Sequence, residues 1–214
     1  MFSDPHLAPH FDASALITVD VQRDFLSEAE YGTPGTTETL PSITRLTEAF
    51  RAAARPIVHV VRLYLPDGSN AELVRRTWIR SGAHLVAPGT PGSELAPGVA
   101  PPQAPELDPE VLLAGGVQRL GPREYAMFKP RWGAFHRTPL QGLLDQHGVD
   151  TVVVVGCNLP NCPRATMIEA SERDYRVVAV PEGLSRRTPE ALRDLGIMGV
   201  NVAGTAEVVG ALAG

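Results

Sequence analysis

The sequence predicts an α/β fold on a mostly parallel sheet, and three observations lead to this expectation. Several short apolar runs are rich in β-branched residues and nearly continuous, which is typical of strands covered on both faces. Segments with a helical period of apolar residues lie between these runs. The length of 214 residues suits one domain. Strands that alternate with helices indicate βαβ units, whose right-handed crossovers place helices on both faces of the sheet.

Six segments resemble strands, although not equally strongly. The clearest are the apolar runs 15–19, 56–61 and 151–155, followed by 176–180, the short 124–128 and the weaker 199–202. Because these runs do not alternate between apolar and polar residues, we expect most of them to be buried in the centre of the sheet.

Five segments carry the apolar spacing of helices, at 40–54, 138–147, 163–174, 188–195 and 205–212. Their ends are marked by suitable residues. Pro163 suits the first turn of a helix, Thr188 and Pro189 form a cap and first-turn pair, and Gly148 suits a C-terminal stop.

Residues 81–121 depart from this alternation, since they are rich in proline and glycine and show little periodicity. We interpret them as a long irregular excursion within a single domain that spans 1–214. Loops of this length usually serve as functional covers or partner contacts, or are disordered.

Composition argues against several classes of protein. The formal net charge is -5 and no basic run stands out, so neither nucleic acid nor an anionic membrane is an expected partner. No apolar run approaches the length of a membrane span, and the N-terminus lacks the pattern of a signal peptide. Two cysteines are too few for a disulfide framework. A cytoplasmic protein is therefore expected.

The basic residues are divided very unevenly, into eighteen arginines and one lysine, Lys129. A GC-rich genome could produce such a bias by itself. Lysine and arginine differ most where a pKa must change, because a lysine can be tuned and an arginine cannot. The single lysine is therefore a candidate functional residue as well as a possible surface residue.

Three reactive side chains follow separate predicted strands. Asp20 ends the first strand, Lys129 follows 124–128, and Cys162 lies after 151–155. Ligands of parallel sheets bind at this edge, and an activated thiol needs a basic partner and a carboxylate. Cys162 also lies just before the predicted helix 163–174, whose N-terminal N–H groups favour an anion and lower a thiol pKa. Cys157 has no helix behind it and is expected to be a bystander.

Three blocks resemble the isochorismatase-like cysteine hydrolase superfamily, in its metal-independent amidase branch. The first block, 15–25, contains an apolar strand followed by Asp-x-Gln-x-x-Phe. The second, 128–140, contains the lysine with downstream Ala-Phe and Thr-x-Leu. The third, 156–166, is similar to the family's nucleophile loop, Gly-x-x-Thr-x-x-Cys-x-x-x-Thr.

The resemblance implies a three-layer α/β/α sandwich with a Rossmann-like sheet of about six strands. It also implies a catalytic triad in which Cys162 is the nucleophile, Asp20 the general base and Lys129 the group that favours the thiolate. The family's cis peptide bond would fall at Cys157–Asn158. The backbone N–H groups of Asn158 and Cys162 would then form an oxyanion hole.

Two departures from the family pattern limit what can be transferred. Leu159 replaces the usual threonine three residues before the nucleophile. The zinc site of nicotinamidases needs Asp-x-His after the second strand, but Asp67 has no histidine two positions on, and His84 stands alone. We therefore expect no metal and no cofactor.

The substrate pocket is less well specified by the sequence. Phe25, Trp132 and Phe135 flank the triad and are candidate pocket residues, although each could equally be an ordinary core or interface aromatic. Three further polar residues could contact an acidic or amide substrate, namely Arg131, Arg164 and Asn158.

The expected function is hydrolysis of a C–N bond in a small amide or ureido substrate through a covalent acyl-enzyme. Two alternatives stay open, an isochorismatase-type hydrolase of a vinyl ether and a non-catalytic binding protein with the same fold. The resemblance also suggests a homo-oligomer, a dimer or tetramer, in which 81–121 could cover a neighbour's site.

Overall fold

A seven-stranded sheet forms the centre of the protein in a computed structural model that describes residues 4–214. The strands lie in the order β3-β4-β2-β1-β5-β6-β7, and every neighbouring pair is parallel except β3 and β4. Their bounds are β1 Ser14–Val19, β2 Ile57–Val61, β3 Val117–Gly121, β4 Glu124–Phe128, β5 Thr151–Gly156, β6 Arg176–Leu184 and β7 Asn201–Val202. The predicted α/β fold with a mostly parallel sheet is confirmed.

Seven α-helices accompany the sheet within the described part of the chain. They are α1 Leu40–Ala52, α2 Leu73–Arg80, α3 Pro109–Leu113, α4 Leu140–Gln146, α5 Cys162–Ser171, α6 Pro189–Ile197 and α7 Thr205–Leu212. None of the helices in residues 4–214 is long and apolar enough to cross a membrane.

The two faces of the sheet are covered by different helices, which explains the continuous apolar runs. On one face, Leu16 and Val153 pack with apolar side chains of α1 and α7. On the other face, Ile17 and Val154 pack with those of α4, α5 and α6. Successive residues of a strand point to opposite faces, so a strand buried on both faces needs an apolar residue at every position.

Residues 81–121 are mostly without regular structure, but they contain three short elements that the sequence did not predict. This segment contains α3, β3 and a 3₁₀ turn at Pro91–Ser93, and it folds back on the core. Strand β3 escaped notice because it is an edge strand with partly exposed polar residues, held by antiparallel pairing with β4. Helix α2, also missed, exposes Leu73 and Val74 and so lacks a clear apolar stripe.

The strand order brings three distant segments to one edge of the sheet. Strand β1 lies between β2 and β5, and β4 lies on the far side of β2. Backbone hydrogen bonds continue past the strand ends, from Asp20 N–H to Val60 O, 2.9 Å, and from Lys129 N–H to Val61 O, 3.0 Å. Residues that follow β1, β4 and β5 therefore meet at the carboxyl edge, where ligands of such sheets bind.

Candidate active site

Asp20, Lys129 and Cys162 meet at this edge. Lys129 Nζ lies 2.9 Å from Asp20 Oδ2 and donates a hydrogen bond of 3.3 Å to Cys162 Sγ. Its third hydrogen bond, also 3.3 Å, goes to the carbonyl oxygen of Arg131. The ammonium group has three donors, so all three are used and the lysine side chain is fixed between the carboxylate and the thiol.

The charges of this cluster are withdrawn from water. Lys129 is completely buried and Asp20 is 3% exposed. Burial lowers the pKa of Lys129, but the Asp20 carboxylate and Cys162 outweigh this effect and raise it above its ordinary value. The lysine therefore stays positively charged at neutral pH.

The Cys162 thiol is held in its protonated form. Burial is the main cause and the Asp20 charge the second, and together they raise the pKa of the thiol to about 12 despite the opposing effect of Lys129. Burial and the Asp20 charge therefore outweigh the lowering of the thiol pKa that is expected from the N-terminus of α5 alone. Because Asp20 Oδ1 is buried and has no aligned hydrogen-bond donor, it is available to accept the thiol proton.

The loop between β5 and α5 presents backbone donors beside the thiol. Helix α5 begins at Cys162, and the Cys157–Asn158 peptide bond is cis, where the resemblance implies it. Among the described residues, no hydrogen-bond acceptor is assigned to the N–H groups of Asn158 and Cys162. Free N–H groups at a helix N-terminus favour negative charge, as an oxyanion hole requires.

Gly156 permits the close approach of this loop to β1. Its φ is +129°, which disfavours other residues, and a Cβ atom there would collide with the backbone of Val19. The Cys157 N–H donates to Val19 O, 2.9 Å, so the loop starts in register with the end of β1.

A buried arginine supports the site from behind. Arg62 follows β2, is 1% exposed and donates to Lys129 O, 2.8 Å. Its guanidinium lies 3.0 Å from Glu72 Oε1, while Tyr64 donates to Glu72 Oε2, 2.9 Å. This group fixes the backbone of Lys129 and the segment that leads to α2. Sequence reasoning missed it because Arg62 looked like one arginine among eighteen.

The location expected for zinc in nicotinamidases does not fit a metal here. The Asp67 carboxylate accepts two hydrogen bonds from Ser69 on an exposed loop, and His84 is also exposed. Within residues 4–214, no three histidine, cysteine or acidic side chains are grouped suitably for a metal.

A cavity of about 40 Å³ adjoins the three reactive residues. Phe25 and Trp132 line it as the sequence suggested, and so do Asn158 and Cys157. Six lining residues had no clear sequence signal because they come from segments with no predicted structure or motif: Tyr31, Thr33, Arg62, Tyr64, Glu72 and Arg75.

Phe135 does not line this cavity. Its ring packs on Tyr175, with 5.6 Å between ring centroids, and the guanidinium of Arg173 lies over the Phe135 ring, 5.1 Å from its centroid. The reason is local, since the Phe135 N–H donates to Glu169 Oε2 on α5, 2.8 Å, and draws the residue into the core.

The two candidate arginines also lie outside the cavity lining. Arg131 is exposed, and its guanidinium donates to the backbone carbonyls of Asn70 and Pro130. Arg164, on α5, does not border the cavity either.

Comparisons with known proteins identify relatives of the chain as a whole. A family model described as an isochorismatase domain matches residues 14–111 and 102–211. A crystal structure of an isochorismatase family protein from Desulfovibrio vulgaris is 33% identical, with a TM-score of 0.79, and covers 94% of this chain and 99% of that one.

Two curated relatives cover most of the chain. A probable inactive nicotinamidase of Arabidopsis thaliana is 29% identical over 187 residues, 86% of each chain. The ureidoacrylate amidohydrolase RutB of Methylobacterium radiotolerans is 27% identical over 191 residues, which cover 83% of this chain and 69% of the relative.

Proposed function

Because the chain belongs to the isochorismatase family, we propose that it is a cysteine hydrolase that cleaves a C–N bond of a small amide or ureido compound. One observation carries the proposal. Lys129 Nζ lies 2.9 Å from Asp20 and 3.3 Å from Cys162 in a buried site beside a cavity. A similarity to an amidohydrolase that acts on a ureido compound supports the bond type.

In the first half of the reaction, Cys162 Sγ attacks the carbonyl carbon while Asp20 takes the thiol proton. The carbonyl electrons move to oxygen, and the N–H groups of Asn158 and Cys162 stabilise the resulting oxyanion. Protonated Asp20 gives its proton to the leaving nitrogen, the C–N bond breaks, and ammonia or an amine departs. A thioester on Cys162 is left.

In the second half, Asp20 takes a proton from water while the water oxygen attacks the thioester carbon. The C–S bond breaks, and the proton on Asp20 returns to the sulfur. The acid product leaves and the thiol is restored. Throughout, Lys129 offsets the negative charge that moves between Asp20 and Cys162, and this role requires a buried, permanently charged group.

A panel of small amides and ureido compounds, assayed by released ammonia, tests the proposal. The wild-type enzyme is expected to hydrolyse at least one of them, Cys162→Ala to hydrolyse none, and Cys157→Ala to retain activity. Intact-mass analysis of wild-type enzyme mixed with an electrophilic amide analogue should show an adduct on Cys162.

Other outcomes identify the alternatives. A vinyl-ether hydrolase needs a proton donor but no thiol, so hydrolysis of such a substrate by Cys162→Ala would overturn the proposal. Absence of both ammonia release and any Cys162 adduct across the panel would instead favour a non-catalytic binding protein.

A further inference from the structure

The charges that line the cavity do not cancel. Five charged side chains border it, namely Asp20, Lys129, Arg62, Glu72 and Arg75. Lys129 pairs with Asp20 at 2.9 Å and Arg62 pairs with Glu72 at 3.0 Å. Arg75 is left over, because no carboxylate in the described residues forms an ion pair with it. The cavity therefore carries one excess positive charge.

Arg75 is placed differently from the other arginines near the site. It is half-buried in the first turn of α2, where its backbone N–H donates to Glu72 O, 2.9 Å. The guanidinium of Arg80, on the same helix, is exposed and donates to Asp67 O, and that of Arg131 donates to backbone carbonyls. No such acceptor is assigned to the Arg75 side chain anywhere in residues 4–214.

A second polar group in the cavity also lacks a partner. Asn158 is only 9% exposed, and its Oδ1 is buried without a hydrogen-bond donor. Buried acceptors are almost always satisfied, so an orphan acceptor in a cavity indicates a ligand that brings an N–H group. A primary amide or ureido group has such a donor, and Asn158 lies on the loop that carries Cys162.

We propose, on the basis of the function given above, that the substrate is a small amide or ureido acid bearing a carboxylate. Asn158 Oδ1 accepts a hydrogen bond from the N–H of the reacting group, and Arg75 binds the carboxylate. The guanidinium fork matches a carboxylate and binds it by charge-assisted hydrogen bonds.

The size of the cavity agrees with binding of the amide end and the carboxylate end of the substrate at different places. A cavity of about 40 Å³ has room for one or two water-sized groups and not for a whole molecule that carries both an amide and a carboxylate. The reacting amide thus occupies the enclosed part beside Cys162. The carboxylate end extends to the half-buried Arg75 and to Trp132, which is 40% exposed.

Matched pairs of substrates test the inference. Succinamate is compared with neutral succinamide, and N-carbamoylglycine with neutral N-methylurea, by kcat and KM from ammonia release. The wild-type enzyme is expected to prefer the acid of each pair by roughly tenfold to a hundredfold in kcat/KM, the range of a charge-assisted contact.

Two variants of Arg75 and one control variant of Arg80 assign this preference to one residue. Arg75→Gln is expected to remove it by raising KM for the acids, with little change in kcat and none for the neutral compounds. Arg75→Lys should restore part of it. Arg80→Gln makes the same change of charge on the same helix and should leave both classes of substrate unaffected. Thermal unfolding of each variant checks that it is folded.

Failure of the inference is distinguishable from failure of the proposed function. If neutral amides are hydrolysed as well as acids, or if Arg75→Gln keeps the preference, the substrate class is wrong while cysteine hydrolysis stands. If no compound is hydrolysed, the inference is tested by binding instead. Calorimetric titration measures the affinity of Cys162→Ala for succinamate and for succinamide. The inference is overturned if both compounds bind equally or neither binds. It is upheld if succinamate binds more tightly than succinamide and this difference is lost when Arg75 is replaced by glutamine.

Discussion

Lys129 stands alone among the basic residues because its surroundings suit an ammonium group. All three of its N–H donors are used within a fully buried space, on Asp20, Cys162 and a carbonyl oxygen. A planar guanidinium is larger and directs its donors in a fixed fork. An arginine at position 129 is therefore not expected to reproduce these three contacts.

Replacing Lys129 by arginine is expected to reduce kcat/KM by at least about a hundredfold, because the reacting groups are displaced although the charge is kept. Steady-state kinetics on a substrate found in the panel measures the effect, with near-ultraviolet circular dichroism as a check on folding. Arg193→Lys, an exposed exchange on α6, should be silent. Activity retained in Lys129→Arg would assign the lysine a structural role alone.

The resting state of Cys162 gives a second prediction. Its pKa is raised to about 12, mainly by burial, so the thiol should remain protonated from about pH 6 to about pH 9. A thiolate absorbs in the far ultraviolet. The spectrum of the wild type minus that of Cys162→Ser should show no such absorbance over this pH range. A titration step below about pH 9 in that difference would contradict the proposed proton transfer to Asp20 during attack.

A buried polar network joins strands β1, β2 and β4 to helix α1, away from the candidate active site. His59 Nε2 lies 2.7 Å from Glu124 Oε1, and Arg51 donates twice to the same carboxylate. Thr18 Oγ1 contacts the other ring nitrogen of His59 at 2.8 Å. Four elements are thus connected through one carboxylate, and removing it leaves the other groups buried without their partner.

Glu124→Gln is expected to lower the free energy of unfolding by about 1–3 kcal/mol at neutral pH. Burial raises the pKa of Glu124, but hydrogen bonds from Arg51 and His59 outweigh it, and the net pKa is lowered. The contribution is therefore present above the unfolded pKa of about 4.3 and is lost as pH falls through the folded value.

Urea denaturation of wild type and Glu124→Gln at several pH values measures this difference, which should narrow below about pH 4. Glu190→Gln, which removes an exposed pair with Arg193, is the matched control and should show no such difference. A gap that stays constant with pH would mean that the carboxylate charge plays no part.

The net charge of the chain and the charge of the cavity have opposite signs. The chain carries a formal charge of -5, whereas the cavity carries one excess positive charge. Net charge therefore gives no guide to the charge of the substrate. Recognition is decided by the few groups that are withdrawn from water, where interactions between charges are stronger.

The sheet and its two helical layers form the core on which the site depends. Phe50 on α1 is fully buried against one face of the sheet. Phe50→Ala is expected to cost about 3–5 kcal/mol in the free energy of unfolding, through lost burial and a cavity. Urea denaturation measures it, and Ile197→Ala, which alters a side chain 85% exposed, should have little effect. Similar losses in both variants would contradict the assignment of Phe50 to the core.

Local sequence patterns predicted six of the seven strands and five of the seven helices in residues 4–214, and the three residues that meet at the carboxyl edge. Apolar runs and helical periods depend on local spacing, and Asp20, Lys129 and Cys162 follow strands whose carboxyl ends must share an edge. Edge strand β3, helix α2 and the five-residue helix α3 were not predicted, because exposed residues or a very short length leave no such pattern.

The environment of those residues depends on long-range contacts that the sequence patterns do not show. The raised pKa of Cys162 results from burial, and the excess charge at Arg75 exists because Glu72 and Asp20 are already paired with other groups. Phe135 similarly turned away from the cavity because a contact with Glu169 holds its backbone. Burial and ion pairing depend on which distant segments of the chain meet in the fold. Local sequence patterns do not show these long-range contacts.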